Sequence, residues 1–384
     1  MSNLLADNDC KHGHALSVTL NPSPETDELA VWDELVRTVP GSDVAQLSGW
    51  ADVRRAAGFE PLYLFVRRGA ELVGGALVLQ RRLPMVGMVG YVPYGPVVLP
   101  DVDGEPLSAV VTAALRRLAR RTTRILFIQP PLDGDEISRE LVRLGFRPSH
   151  AGIAPAASLR LDLAQDEDTL RARLPKSLQK WIRKWPARGV TVRRGAQGDV
   201  AVLARLHAAS AQHQNFEPIP FDYLATLYRR LAPDGHAQLF IGEIEGTPLV
   251  ARLFTGCAGV ITARLAGMER DSAAVRLNVS TAVHWEAIRW AKANGYRWYD
   301  FGGIRDTAVS VLEHEGSDLS QLTSSEAFKA SFGGTPFRYP TPVEFISSPV
   351  IRGGYDLAMR WPRGRRAAHR AASMLRSGRG AGGS

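Results

Sequence analysis

Alternation between apolar and polar positions breaks this chain into short helices and strands that recur twice in the same order. Residues 27–38 and 50–57 carry apolar positions at helical spacing, and Gly58 stops the second run. Residues 61–66 and 71–80 flank Arg67-Arg68-Gly69-Ala70, which reads as strand, turn, strand. Residues 85–94 predict another strand, closed by the rigid turn of Pro93-Tyr94-Gly95-Pro96. A helix over 107–120, a strand over 125–129, a helix over 137–144 ending at Gly145 and a strand over 158–163 complete the first set. Residues 1–25 lack such patterning and read as a flexible terminus.

The second set opens with basic helical material over 169–188, interrupted at Pro175 and Pro186. Helices come next at 200–212 and 221–231, and a hairpin pairs 238–243 with 248–254 around Glu245-Gly246. A strand over 260–265, a long helix over 275–294 stopped by Gly295, and a strand over 296–301 end it. Each half thus runs helix, helix, hairpin, strand, helix, strand. That order predicts helices on a mixed sheet, a mixed α+β member of the α/β class, in two similar domains over 26–165 and 166–355. Neither half places a glycine-rich fingerprint between a strand and a helix, so a dinucleotide or phosphate-loop fold is not expected.

Length agrees with duplication, because 384 residues exceed one ordinary core. With 45% hydrophobic and 22% charged residues the composition is that of a globular chain, and no apolar run is long enough to span a bilayer. The first residues lack a basic region followed by a long apolar core, so a cytoplasmic protein is expected. Cys10 and Cys257 are too isolated for a disulfide framework. The nine histidines show no HExxH-like spacing, and no metal site is expected.

The formal charge of +8 is unevenly placed. Residues 170–200 hold nine Lys or Arg against one acid, Asp199, and the chain from Arg360 onward holds seven Arg and no acid. Clusters of this kind suit phosphate backbones or anionic surfaces, and suit a solvated face equally well. The end of the chain, 356–384, reads as a basic disordered tail.

Two segments could carry chemistry. In residues 284–304 a helix leads into a strand on which Asp300 precedes Gly302-Gly303. A carboxylate there serves either as a site group or as a cap for turn amides. In residues 324–340 Ser324 or Ser325 can cap a short helix, Phe328 and Phe332 share a face, and Lys329 projects beside them ahead of Gly333-Gly334. An ammonium between aromatic rings can stabilise charge on a reacting carbonyl oxygen, whereas most lysines are simply exposed.

The chain resembles the Fem family, the non-ribosomal peptidyl transferases that draw amino acids from aminoacyl-tRNA. The likeness rests on Tyr299-Asp300-Phe301-Gly302-Gly303 after a tryptophan-bearing helix with Trp285 and Trp290, and on the block Phe328-Lys329-Ala330-Ser331-Phe332-Gly333-Gly334. Weaker matches are the basic stretch LPKSLQKWIRKWPARGVTV, the strand end YVPYGPV at 91–97, and Trp50 with Arg54 and Gly58. Together they span about residues 40–348.

The resemblance implies two tandem acetyltransferase-like (GNAT) domains facing a central cleft. It implies Lys329 as the group acting on the carbonyl, Phe328 as its neighbour and Asp300 as a helper. Arg54 would contact substrate phosphate, with Trp50, Tyr94, His213 and Tyr223 on the substrate side. Family members often carry arginine where this chain has Tyr94 and His213, and an aromatic-rich strand where residues 260–268 have no aromatic residue. The basic stretch would offer Lys176, Lys180, Arg183, Lys184 and Arg188 to tRNA. It is too short and too proline-interrupted for the long coiled-coil arm of some members.

The function so implied is amide formation, moving an amino acid from charged tRNA to an amine of a peptidoglycan precursor or a peptide-like secondary metabolite. It needs no cofactor, with aminoacyl-tRNA as co-substrate. A monomer is expected, and peripheral membrane association stays open. The alternatives are an acetyl-coenzyme A-dependent N-acyltransferase, against which the glycine-poor segment 264–276 with its acids Glu269 and Asp271 argues, and a non-catalytic nucleic-acid-binding module.

Overall fold

A computed structural model describes residues 16–84, 86–100, 107–270, 273–314, 318–361 and 364. Its first elements are β1 (Leu16–Asn21), α1 (Thr26–Thr38), α2 (Ser48–Ala56), β2 (Glu60–Arg68), β3 (Glu71–Leu83) and β4 (Gly87–Val92). After them come β5 (Val97–Val98), α3 (Leu107–Arg121), β6 (Ile125–Ile128), α4 (Asp135–Arg143), β7 (Arg147–Pro148) and β8 (Ala157–Asp162). The middle of the chain gives α5 (Glu167–Ala172), α6 (Lys176–Ile182), β9 (Val190–Arg194), α7 (Val200–Gln214), α8 (Phe221–Leu231), β10 (Ala237–Ile244) and β11 (Thr247–Cys257). It continues with β12 (Val260–Met268), α9 (Ala273–Arg276), α10 (Val279–Ala293), β13 (Trp298–Ile304), α11 (Asp306–Glu313) and α12 (Ser324–Ala330). The last are β14 (Thr335–Arg338), β15 (Val343–Ile346) and α13 (Pro349–Arg360).

These elements build two sheets. One has the order β1-β2-β3-β4-β6-β15-β7, with β5 on β3; the other runs β14-β8-β13-β12-β11-β10-β9. Among the described residues each sheet contains one parallel pair, β4 with β6 and β12 with β13, at the corresponding place in the repeated order. The compact units are Pro155–Tyr339 and, for the other sheet, the chain up to Ala154 together with the chain from Pro340.

The division differs from the domains read off the sequence. The strand over 157–162, read as the end of the first set, pairs with β13 and β14. Conversely β15 returns to the first sheet, between β6 and β7. Residues 16–21, expected to be flexible, pair antiparallel with β2 along their whole length. The expected tail is helical as far as Arg360. The chain beyond Arg360, like Cys10, His12, His14 and His369, lies outside the described residues apart from Trp361 and Gly364.

Local chemistry explains most boundaries. Along α10, Val279, Val283, Ala287 and Ala291 have no exposure, the face expected from their spacing. Burying each valine contributes about 1.5–3 kcal/mol. The helix predicted over 275–294 is interrupted, because Asn278 sits in the left-handed region (φ 45°) and separates α9 from α10. Pro175 precedes α6, and Pro186 opens a single turn of 3-10 helix. With α5 and α6 at 6 and 7 residues, the segment between β8 and β9 holds no long helical hairpin. No helix among the described residues is long and apolar enough to cross a membrane.

Candidate active site in the second unit

The site is built where β12 and β13 part. The two strands pair only at Val260–Trp298, Ile261–Tyr299 and Thr262–Asp300. Beyond Asp300 the register of β13 against β8 shifts, and Gly302 turns with φ 82°. A Cβ at Gly302 would lie 3.2 Å from the Ala263 carbonyl oxygen, so both the turn and the close approach call for glycine.

Asp300 anchors this turn from inside. It has 0% exposure, and its Oδ1 accepts from the Gly302 amide at 2.7 Å. Its Oδ2 accepts from Ser158 Oγ (2.8 Å), Arg160 Nε (2.9 Å) and Tyr339 Oη (3.2 Å). The Arg160 guanidinium lies 3.3 Å from the Phe337 ring centroid, so the pair is covered by aromatic surface. Of the two sequence readings of Asp300, the geometry favours the scaffold, since donors of the protein already occupy both oxygens.

Lys329 is carried by α12, whose start is held by a capping box. Thr323 Oγ1 accepts from the Glu326 amide at 3.3 Å, and the Glu326 carboxylate accepts from the Thr323 amide at 2.9 Å. The cap is therefore Thr323, not Ser324 or Ser325. Arg305 adds bonds to Glu326 of 2.9 Å and 2.7 Å, and this arginine first, ahead of the turn amides, holds the carboxyl far below its usual range. From this seat Lys329 Nζ donates to the carbonyls of Gly303 (2.7 Å) and Gly302 (3.3 Å) at the parted strands. Gly333, at φ 75°, ends the block where a Cβ would come within 2.8 Å of Arg173 Cβ.

The floor beneath Lys329 is aromatic. His284 on α10 is buried, and its ring lies 5.5 Å from Phe328, 5.3 Å from Phe332 and 5.3 Å from Phe301. His284 Nδ1 and Tyr299 Oη are 2.6 Å apart. Burial, then the nearby Arg252 and Lys329 charges, keeps His284 neutral, and burial keeps Tyr299 a neutral phenol. This pair positions the lysine helix through the phenylalanines.

Arg252 completes the site and was missed by sequence reasoning. It sits mostly buried on β11, with Nη2 on Ser280 Oγ at 3.3 Å and Nε without a hydrogen-bond partner among the described residues. The sequence signal was an arginine inside the apolar strand Leu249-Val250-Ala251-Arg252-Leu253-Phe254. Burial, then Arg252, pushes the Lys329 ammonium below its ordinary value, while Asp300 and Glu326 push it back up. Those two acids are already matched by Arg160 and Arg305. Among the described residues, Lys329 and Arg252 have no acidic partner of their own.

The other expected residues fall in different places. Arg54 is 1% exposed, with its guanidinium 4.2 Å from the Phe59 ring centroid, and Trp50 is buried beside it on α2. Both lie in the core of the first unit, on the face of α2 that turns inward. Tyr94 has φ 48°, a strained backbone for a tyrosine, and is half-buried. In the second unit His213 is exposed near the end of α7 and Tyr223 is half-buried on α8. Lys176, Lys180, Arg183, Lys184 and Arg188 are all exposed, and none has an acidic partner among the described residues. By contrast Arg193 is bound to Asp199 and Glu243.

Comparison with known proteins fits this geometry. A family model described as an acetyltransferase (GNAT) domain matches residues 146–309. Lipid II:glycine glycyltransferases of Staphylococcus aureus strains COL and MRSA252 are 24% identical over 234 residues, covering 58% of this chain and 55% of theirs. The chain thus spans about half the length of these curated relatives. The crystal structure of FemX superposes with a TM-score of 0.72 at 17% identity, over 84% of this chain and 97% of that one. The chain shares the fold of FemX. A tandem GNAT protein from the clavulanic acid biosynthesis pathway superposes with a TM-score of 0.52 at 14% identity, over 87% of this chain and 99% of that one. The chain therefore has a tandem GNAT fold, and Lys329 lies where its second sheet parts.

Proposed function

We propose that the protein transfers an amino acid from aminoacyl-tRNA to an amine of a peptide-like acceptor, forming an amide. The observation that carries this reading is the positive charge of Lys329 beside the parted strands and of Arg252 near it, neither with an acidic partner of its own among the described residues. The acceptor nitrogen attacks the ester carbonyl, the carbon–oxygen bond to the ribose breaks, and the proton lost by the amine passes to the departing ribose oxygen. The ester is already activated, so no enzyme nucleophile is needed. Lys329 and Arg252 stabilise the oxyanion of the addition step. A lipid-linked peptidoglycan precursor is the first acceptor class to try, since the glycyltransferase relatives are named for lipid II. A peptide-like metabolite is the second.

The donor is tested by single-turnover transfer with charged tRNA, compared with acetyl-coenzyme A and no RNA. Neutralising Lys176, Lys180, Arg183, Lys184 and Arg188 to glutamine is expected to weaken tRNA binding at least about tenfold and flatten its salt dependence. Unchanged affinity, or transfer that survives ribonuclease, would overturn the tRNA reading.

The pH dependence derives from Lys329. Its ammonium is lost at lower pH than that of an ordinary lysine (10.5), so the contribution is present below the lowered value and declines as pH rises through it. An alkaline limb below 10.5 is expected in the single-turnover rate, moving upward in Arg252→Met as repulsion is removed. A limb that ignores this substitution would separate Arg252 from the lysine.

A further inference from the structure

We infer that α13 is a docking element for an anionic phospholipid bilayer. The helix lies on the first sheet through one face only. There Glu344 accepts from Arg352 Nη1 at 2.8 Å and from Tyr355 Oη at 3.0 Å, and Ser149 Oγ donates to the same carboxylate at 2.7 Å. The opposite face is apolar and bare. Val350 is 84% exposed, Leu357 58% and Trp361 65%. At about 100° per residue Val350 and Leu357 fall within about 20° of each other, as one stripe, and Trp361 follows directly at the helix end. Gly353 and Gly354 lie beside the stripe, and a Cβ added to either would meet nothing within 4 Å.

Charge at both ends of the stripe indicates what covers it. Just before the helix, a cavity of about 780 Å³ is lined by Arg82, Arg124, Leu83, Pro84, Ser348 and Ile351 among others, with no acid among the described residues of its wall. The guanidinium groups and the first turn of the helix suit a phosphate headgroup. From Arg360 onward the sequence carries seven arginines and no acid. An apolar stripe with an exposed tryptophan between two cationic ends matches the interface of an acidic membrane. RNA would meet the cations but leave Val350 and Leu357 bare, and a second copy would bring like charge against like. The inference stands on α13 and does not require the transfer reading.

The test is co-sedimentation of the full chain with vesicles of phosphatidylcholine alone and of phosphatidylcholine with phosphatidylglycerol, at about 0.15 M salt. Binding only to the acidic vesicles is expected. The double variant Leu357→Glu, Trp361→Ser should bind them at least about tenfold more weakly, because the stripe faces away from the protein and loses its apolar contact. Circular dichroism and transfer to a water-soluble acceptor should be unchanged in this variant. The inference is overturned if the wild type ignores acidic vesicles or if the variant binds them equally. It is equally overturned if the variant loses tRNA affinity or a dimer instead. Because vesicle binding needs no substrate, its outcome is independent of whether transfer is found.

Discussion

Lys329→Met is expected to slow single-turnover transfer by about 10²-fold or more, the scale for losing one donor to a developing oxyanion. Methionine keeps much of the chain length, so Phe328 and Phe332 can stay on His284. The carbonyls of Gly302 and Gly303 lose their ammonium, but they lie at a partly open edge where water can replace it. Affinity for tRNA should be nearly unchanged, because the exposed cations over 176–188 are untouched. A folded Lys329→Met protein with near-wild-type rate would remove the lysine from the reaction. A trapped aminoacyl-enzyme would remove direct attack.

A large loss of stability is expected from Asp300→Ala. The change leaves the Arg160 guanidinium buried against Phe337 without its counter-charge, and it frees Ser158, Tyr339 and the Gly302 amide. Breaking one side of a buried pair costs about 3–5 kcal/mol. Urea unfolding should therefore show a much lower midpoint. Asp300→Asn, which keeps the shape and one acceptor oxygen, should lose less. An Asp300→Ala protein as stable as wild type yet inactive would return the residue to the chemistry.

Much of this architecture was legible in the sequence because it is local. The face of α10, the stop at Gly295, the hairpins and α8 all derive from spacing and turn residues. The FGG blocks were visible as well, since a positive φ at Gly302 or Gly333 selects glycine whatever surrounds it. The features that escaped depend on distant partners. Short strands such as β14 and β15, at four residues each, carry too few positions for a period, and the sheet that recruits them lies far along the chain. Nothing local shows that Arg160 and Asp300, 140 residues apart, will meet. The same limit hid Arg252 and the burial of Arg54, because one helical turn decides whether an arginine faces solvent or a phenylalanine ring.

The return of β15 orders events during synthesis. The first sheet holds a gap between β6 and β7 that only residues 343–346 fill. Until that strand leaves the ribosome, the inner edge of β6 presents unpaired backbone groups while the entire second unit has already emerged. The unit begun first is thus finished last. A chain halted before β15 would expose a sticky sheet edge, so the amino-terminal fold is completed only when translation has passed residue 346.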